Sequence, residues 1–375
     1  MSRSTHVSRR GFLQRAGAGL VASHVAAGAS AAQRVPEPPG RKLGWAIVGL
    51  GNLSINQILP AFARCEKSRL AAFVSGSPDK AGKLAARYGV DERHIYDYAG
   101  YDRIRDNPDI DIVYVVLPNH MHAEYTIRAA RAGKHVLCEK PMANTPEDCR
   151  QMIEASREAQ RKLMVAYRVR YEPYNQALIK SVRDKEFGDL EVVLADAGFS
   201  IGDPSQWRLK RSMGGGGSLM DIGIYALNAA RYITGEEPVA VNAMEYSTPD
   251  DPRFKEVEEN ILFQLRFPSG VLATCTSSYG APFNRFRAVS SKGWIELEPA
   301  SSYSGLRMRA GSGNRVEERI HRVVDHFAAE MDHLSECVLS GAEPLTSGEE
   351  GLKDLIVMMA IYDAAKAGKT VTLAG

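Results

Sequence analysis

The chain of 375 residues is 44% hydrophobic and 25% charged, which suits a globular protein of about two domains. Four of its 47 basic residues (Arg3, Arg9, Arg10 and Arg15) lie at the start, and the remaining 43 face 45 acidic ones. That balance, with no block of like charge, excludes a surface built for nucleic acid or an anionic membrane.

Ser8-Arg9-Arg10-Gly11-Phe12-Leu13-Gln14 reads as a twin-arginine export signature. A mildly apolar stretch from Ala16 to Ala29 follows, and Ala29-Ser30-Ala31 offers a cleavage site. Arg15 and His24 make that stretch too weak for a spanning helix, so no stable membrane anchor is expected. Residues 1–31 are therefore expected to be a signal peptide that sends the protein to the periplasm. Residues 32–43 form a Pro-rich arm carrying Pro36, Pro38 and Pro39.

From residue 44 the pattern changes. Trp45-Ala46-Ile47-Val48 is a buried strand run, followed at once by Gly49-Leu50-Gly51-Asn52. Ile55, Ile58, Leu59, Phe62 and Cys65 then recur at helical spacing. Strand, Gly-x-Gly turn and helix form the context in which a backbone approaches a pyrophosphate. Ser54 stands where a third glycine would be. The next strand, Leu70 to Val74, ends in Ser75-Gly76-Ser77 with Lys80 beyond, where an NAD enzyme would place an acid for the ribose. A hydroxyl, a glycine and a lysine suit a 2′-phosphate, so the expected cofactor is NADP, with NAD as the alternative because Asp79 could still reach a ribose. Further strands are expected at Ile95–Tyr98, Asp111–Leu117 (core Ile112–Val116, stopping at Pro118-Asn119-His120), within Gly133–Pro141 and at Leu163–Tyr167, with helices over 122–132 and 147–162. The alternation predicts a doubly wound parallel sheet over residues 44–167.

One stretch concentrates the chemistry. Gly133-Lys134-His135-Val136-Leu137-Cys138-Glu139-Lys140-Pro141 runs an apolar strand into a turn with Lys140 at its carboxyl end, where ligands sit in such sheets. In the second half, residues 168–375, Asp221 and Tyr225 are four apart and share a face if helical. A tyrosine, with its ordinary pKa near ~10, is a poor base alone, but a lysine cation and an oxidised nicotinamide beside it would favour the phenolate. Gln206-Trp207-Arg208 places an aromatic beside a cation, and Met213 to Ser218 reads as flexible or closely approached by ligand. Asn260 to Phe267 alternates, turning Ile261, Phe263, Leu265 and Phe267 to a core and leaving Leu262, Gln264 and Arg266 on a plausible oligomer face. Strands are also expected at 271–279 and 294–297, and helices at 327–339 and 349–367. Cys65, Cys138, Cys149, Cys275 and Cys337 show no framework spacing and read as buried thiols, and neither zinc spacing nor a nucleophile elbow is present.

These residues resemble the glucose–fructose oxidoreductase/inositol dehydrogenase/rhizopine catabolism family, most of all its glucose–fructose oxidoreductase branch. The resemblance rests on Ala46 to Gly51, Asn56 to Pro60, Gly133 to Pro141, Trp207-Arg208-Leu209, Gly215 to Tyr225 and Gly348 to Gly351. Many relatives carry His where Tyr225 stands. The family implies a Rossmann domain followed by an α/β domain with a large open, mostly antiparallel sheet. It implies cofactor contacts at Gly49, Gly51, Asn52, Leu53, Ser75, Gly76, Lys80, Tyr98, Leu117, Pro118, Asn119, His122, Glu139, Lys140, Arg168, Trp207, Arg208 and Tyr279. Catalytic roles would fall to Lys140, Asp221 and Tyr225, with no metal, and the assembly would be a homo-oligomer, dimer or tetramer. The implied activity is oxidation of glucose to its lactone and reduction of fructose to sorbitol. Aldose–aldose chemistry, a conventional dehydrogenase and a non-catalytic sensor are the rivals. Free nicotinamide cofactor is not expected outside the cytoplasm, so an exported enzyme of this kind should hold its NADP tightly.

Overall fold

The computed structural model describes residues 40–373; the expected signal peptide and nearly all of the Pro-rich arm lie outside the described residues. The first sheet is built from β1 (Leu43–Val48), β2 (Ser68–Val74), β3 (Ile95–Tyr96), β4 (Ile112–Val115), β5 (His135–Cys138) and β6 (Leu163–Val165). All pairings are parallel, in the order β3-β2-β1-β4-β5-β6. Strand order reverses between β1 and β4, so the ligand crevice of such a sheet opens beyond their carboxyl ends.

Both faces of this sheet are covered, which is why β1 and β4 read as unbroken apolar runs. Ala46 and Val48 point to one core with Tyr125, Ala129 and Met152, while Trp45 and Ile47 point to the other. The second core receives the helix His326–Ser340, which returns from the far end of the chain. The Trp45 indole donates to Ser335 Oγ at 3.1 Å, and the Lys67 amide donates to Asp332 at 2.9 Å, fixing that helix against β1 and β2.

The second sheet contains β7 (Leu190–Gly198), β8 (Ala240–Tyr246), β9 (Asn260–Arg266), β10 (Leu272–Ser278), β11 (Phe283–Ser290), β12 (Gly293–Leu297), β13 (Met308–Ser312), β14 (Arg315–Arg319) and β15 (Val371–Thr372). Their order is β14-β13-β12-β11-β7-β10-β9-β8-β15, antiparallel except for β7 with β10. The helices Ile224–Thr234 and Gly348–Ala367 bury one face. The other face leaves Met244, Leu262 and Leu272 exposed.

The expected third strand is shorter than read, because Asp97 turns to accept the Gly100 amide at 2.6 Å. The expected helix over 147–162 runs Pro146–Glu158, and Gln160 leaves it at φ 53°. All five cysteines are free and buried. Among the described residues, no helix is long and apolar enough to cross a membrane.

Candidate active site

The turn after β1 is shaped for a phosphate. Gly49 has φ +94°, and a Cβ there would run into the carbonyl of Val116. Gly51 has nothing within 4 Å of where its Cβ would stand, so the loop presents bare backbone to open space. Ser54, in place of the third glycine, is buried and donates to the Gly49 carbonyl at 2.6 Å. That bond ties the turn to the helix it starts, which opens with a π-helical turn at Ser54–Ile58. Asn52 is exposed and Leu53 half-buried at the same entrance.

The end of β2 carries no carboxylate, and the next acid in the chain, Asp79, is exposed in the first turn of the helix that follows. Ser75 Oγ accepts the Ser77 amide at 3.1 Å, which shapes the turn into the helix Pro78–Tyr88. Gly76 is exposed and lies against the Tyr98 ring, where a Cβ would sit 3.1 Å from that ring. Lys80 reaches back across the glycine turn to the Leu50 carbonyl at 3.3 Å. A hydroxyl, an ammonium and bare amides thus surround the place where an adenine ribose lies in this fold. The residues fit a dinucleotide, and they offer a cation where a 2′-phosphate would stand.

At the ends of β4 and β5 the two halves meet. Leu117 is buried and Pro118 half-buried at the rim. The Asn119 amide donates to the Gly214 carbonyl at 2.9 Å, tying the first half to the glycine-rich segment of the second. That segment is neither loose nor open to a ligand. Cβ atoms at Gly216 and Gly217 would collide with Tyr362 and Glu258, so the glycines serve close internal packing. The buried Glu258 accepts the amides of Gly217 and Leu219, both at 2.9 Å. His122 also departs from its expected cofactor role. It is fully buried with its ring nitrogens 2.8 Å from the carbonyls of Pro141 and Leu117, leaving neither surface nor a ring nitrogen for a cofactor. Burial lowers its pKa to about 4, against the pull of the two carbonyls, which favour the charged ring.

Lys140, Asp221 and Tyr225 come together. Lys140 Nζ lies 3.3 Å from Asp221 Oδ1 and donates to the Asp221 backbone carbonyl at 2.5 Å. It also stands 5.2 Å from the Tyr225 ring centroid. Asp221 sits in a second π-helical turn, Leu219–Gly223, immediately before the helix that carries Tyr225. A π turn widens the spacing of side chains, and such turns recur at functional sites. Asp221 Oδ2 meets Arg208 Nε at 3.0 Å and accepts the Tyr279 hydroxyl at 3.1 Å. Trp207 stacks on Arg208, with ring centroid and guanidinium 4.5 Å apart.

The charges sustain one another. Burial works against the Lys140 cation, but Asp221, then Tyr225 and Glu139, outweigh it and hold its pKa above the ordinary lysine value. Burial likewise works against the Asp221 anion, and Lys140 and Arg208 reverse that, holding its pKa below the ordinary range. Glu139 is buried beneath Lys140, accepts the Tyr114 hydroxyl at 2.7 Å, and is raised chiefly by burial.

Several neighbours of Tyr225 carried no sequence signal. Arg168, expected at the cofactor, has its guanidinium 5.2 Å from the Tyr225 ring and 4.6 Å from that of a second tyrosine, Tyr303. Arg168 is held by the Ser301 carbonyl at 2.6 Å and by His326 Nδ1 at 3.3 Å. Tyr114, Tyr303 and His326 belong to no motif, and only the folded chain brings them to this point.

A switch-point crevice with a phosphate turn, and a lysine, an aspartate and a tyrosine converging beyond it, defines a dinucleotide-dependent oxidoreductase. Residues 43–167 match the oxidoreductase family with NAD-binding Rossmann fold, and residues 175–296 match the GFO/IDH/MocA C-terminal domain. A solved aldose-aldose oxidoreductase from Caulobacter crescentus, complexed with glycerol, is 56% identical. It superposes with a TM-score of 0.88 over 89% of this chain and 100% of that one. The D-xylose 1-dehydrogenase [NADP(+)] of Haloarcula marismortui is 31% identical over 336 residues, 88% of this chain and 92% of the relative. The inositol 2-dehydrogenase of Rhizobium meliloti is 30% identical over 80% of this chain and 88% of its own length. This chain belongs to the GFO/IDH/MocA oxidoreductase family.

Proposed function

We propose that this protein oxidises one aldose at C1 to its lactone and reduces a second aldose to the alditol, using an NADP that stays bound between the two steps. The 56% identity that spans all of the Caulobacter aldose-aldose oxidoreductase carries the choice of acceptor. Fructose as acceptor, the expectation from the sequence, engages the same three residues and is separated by assay.

The bound nicotinamide supplies a site that takes up and gives back a hydride. The rest is done by the chain. Tyr225 removes the proton of the donor C1 hydroxyl and returns one to the acceptor oxygen. Lys140 and Arg168 each stand 5.2 Å from its ring centroid, so two cations stabilise negative charge on the phenol oxygen during transfer. Asp221 holds Lys140 in place and keeps Arg208 at the rim. Lys80, with Ser75, recognises the 2′-phosphate and favours NADP over NAD.

Export supports retention of the cofactor: Arg9-Arg10 and the cleavage signal point to the periplasm, where lost NADP could not be replaced. The exposed apolar residues of β8, β9 and β10 fit a second copy of this chain docking sheet to sheet. The domain division follows the same reading, with cofactor binding in residues 44–167 and substrate and assembly in 168–375.

The test is to incubate purified protein with two aldoses and no added cofactor. Equal amounts of lactone and alditol support the reading, and product only after adding NADP in stoichiometric amount refutes retention. Tyr225→Phe, which keeps the ring beside its two cations, is expected to lower kcat about 100- to 10,000-fold. Full turnover in that variant contradicts the proton-transfer role.

A further inference from the structure

Tyr303 is 51% exposed, yet its surroundings are more ordered than a surface tyrosine needs. It lies between β12 and β13, on a segment held by Asn284, which is half-buried, and by the buried Asn175 and Arg168. Asn284 Oδ1 accepts the amides of Ala300 at 2.8 Å and Ser301 at 2.7 Å, and its Nδ2 donates to Ser302 Oγ at 2.9 Å. Asn175 Nδ2 donates to the Ala300 carbonyl at 3.0 Å. Arg168 donates to the Ser301 carbonyl at 2.6 Å. Three successive residues before Tyr303 are thus tied down while its ring stays open to solvent.

The ring is also backed on its inner side. The Arg168 guanidinium stands 4.6 Å from its centroid, and Phe327 packs at 5.6 Å with a 55° tilt. The same guanidinium stands 5.2 Å from the Tyr225 ring. Arg168 therefore serves two tyrosines, one buried and one open, with a single cation. Tyr303 thus shares one cation with Tyr225 and is the exposed member of the pair.

We infer that Tyr303 is a sugar-contacting residue, an aromatic platform for the pyranose face of the donor and for the open-chain aldehyde form of the acceptor, each with its C1 toward Tyr225. The inference rests on the sugar oxidoreductase reading given above. A fixed, half-open aromatic face offers a sugar's axial C–H bonds an apolar surface at little entropic cost, and its hydroxyl keeps the rim wet. One platform serves both half-reactions, since donor and acceptor occupy the same place in turn. A residue used in ground state and transition state alike sets KM more than kcat.

The experiment compares wild type with Tyr303→Ala and Tyr303→Phe, with donor and acceptor varied separately and cofactor content read from the absorbance of the purified proteins. Tyr303→Ala is expected to raise KM for both sugars about 3- to 10-fold with kcat within about threefold and cofactor content unchanged. Tyr303→Phe, which keeps the ring, is expected to stay within about twofold of wild type. If both variants lose affinity equally, the hydroxyl is the contact and the platform is refuted. If Tyr303→Ala leaves both KM values unchanged while wild type turns sugar over, Tyr303 has no such role, and the broader reading stands. If wild type neither oxidises nor binds an aldose, both readings fall together.

Discussion

Lys140 is bonded to Asp221 twice, through the carboxylate at 3.3 Å and through the backbone carbonyl at 2.5 Å. The lysine is thereby fixed to the first residue of the catalytic pair at two points, while its charge remains beside Tyr225. Side chain and backbone of one residue do different work: the carbonyl positions the ammonium, and the carboxylate keeps it charged.

The pH dependence follows from that division. Asp221 is lowered, so its contribution is present above the ordinary carboxylate value and is lost as pH falls through its folded pKa. Lys140 is raised, so its contribution is present below the ordinary lysine value and is lost as pH rises through its folded pKa. The pair stays charged through neutral pH. Asp221→Asn keeps the carbonyl bond but leaves burial of Lys140 unopposed by its main partner. The alkaline limb of the rate profile is expected to move to lower pH, with kcat down about 10- to 1,000-fold. An unmoved limb shows that another group holds the lysine proton.

Cofactor choice is expected to turn on Ser75. Ser75→Asp places a carboxylate at the end of β2, where it would repel a 2′-phosphate and accept from a ribose hydroxyl. The ratio of NADP to NAD affinity, measured by titrating protein stripped of cofactor, should fall at least about 10-fold. An unchanged ratio places 2′-phosphate recognition elsewhere.

Glu330 gives a stability prediction. It is fully buried, and neither carboxyl oxygen has a hydrogen-bond partner. Burial, and then Glu139, push its pKa well above the ordinary 4.5. The folded chain therefore holds a proton that the unfolded chain releases, and this stability is lost progressively as pH rises from about 4.5. Glu330→Gln removes that titration. Its Tm relative to wild type should rise between about pH 5 and pH 8. A difference that stays flat across that range contradicts the assignment.

Assembly is tested on the open face of the second sheet. Met244 and Leu262 face each other across β8 and β9 and are 75% and 51% exposed. Charges at both positions, Met244→Asp with Leu262→Asp, are expected to give a monomer by light scattering where wild type is an oligomer. An oligomer that survives both changes uses another face.

What could be read in the sequence followed burial. Among the parallel strands, β1 and β4 were legible because strands covered on both faces become unbroken apolar runs, as in Ile112–Val115, whereas the two-residue β3 was read too long. β9 was legible because one covered face makes strict alternation. By contrast β14, Arg315–Arg319, is polar and mostly exposed at a sheet edge, and β15 has two residues, so neither left a period to detect. In the site, Lys140, Asp221 and Tyr225 lie in local motifs, and local motifs survive in sequence. Tyr303, Tyr114 and Glu330 do not, because 78 residues separate Tyr303 from Tyr225 and only packing joins them. The glycine-rich segment was misread for a related reason. Glycine marks a close approach, but the approaching atoms, Glu258 and Tyr362, are named only by the fold.

The central claim is a retained cofactor that one sugar reduces and another reoxidises. The direct measurement is the reduced-nicotinamide absorbance of protein purified without added cofactor. Addition of a donor aldose should raise it by one equivalent per chain, and a second aldose should return it to baseline with alditol formed. Protein that carries no nucleotide, or whose absorbance the second sugar leaves unchanged, contradicts the account.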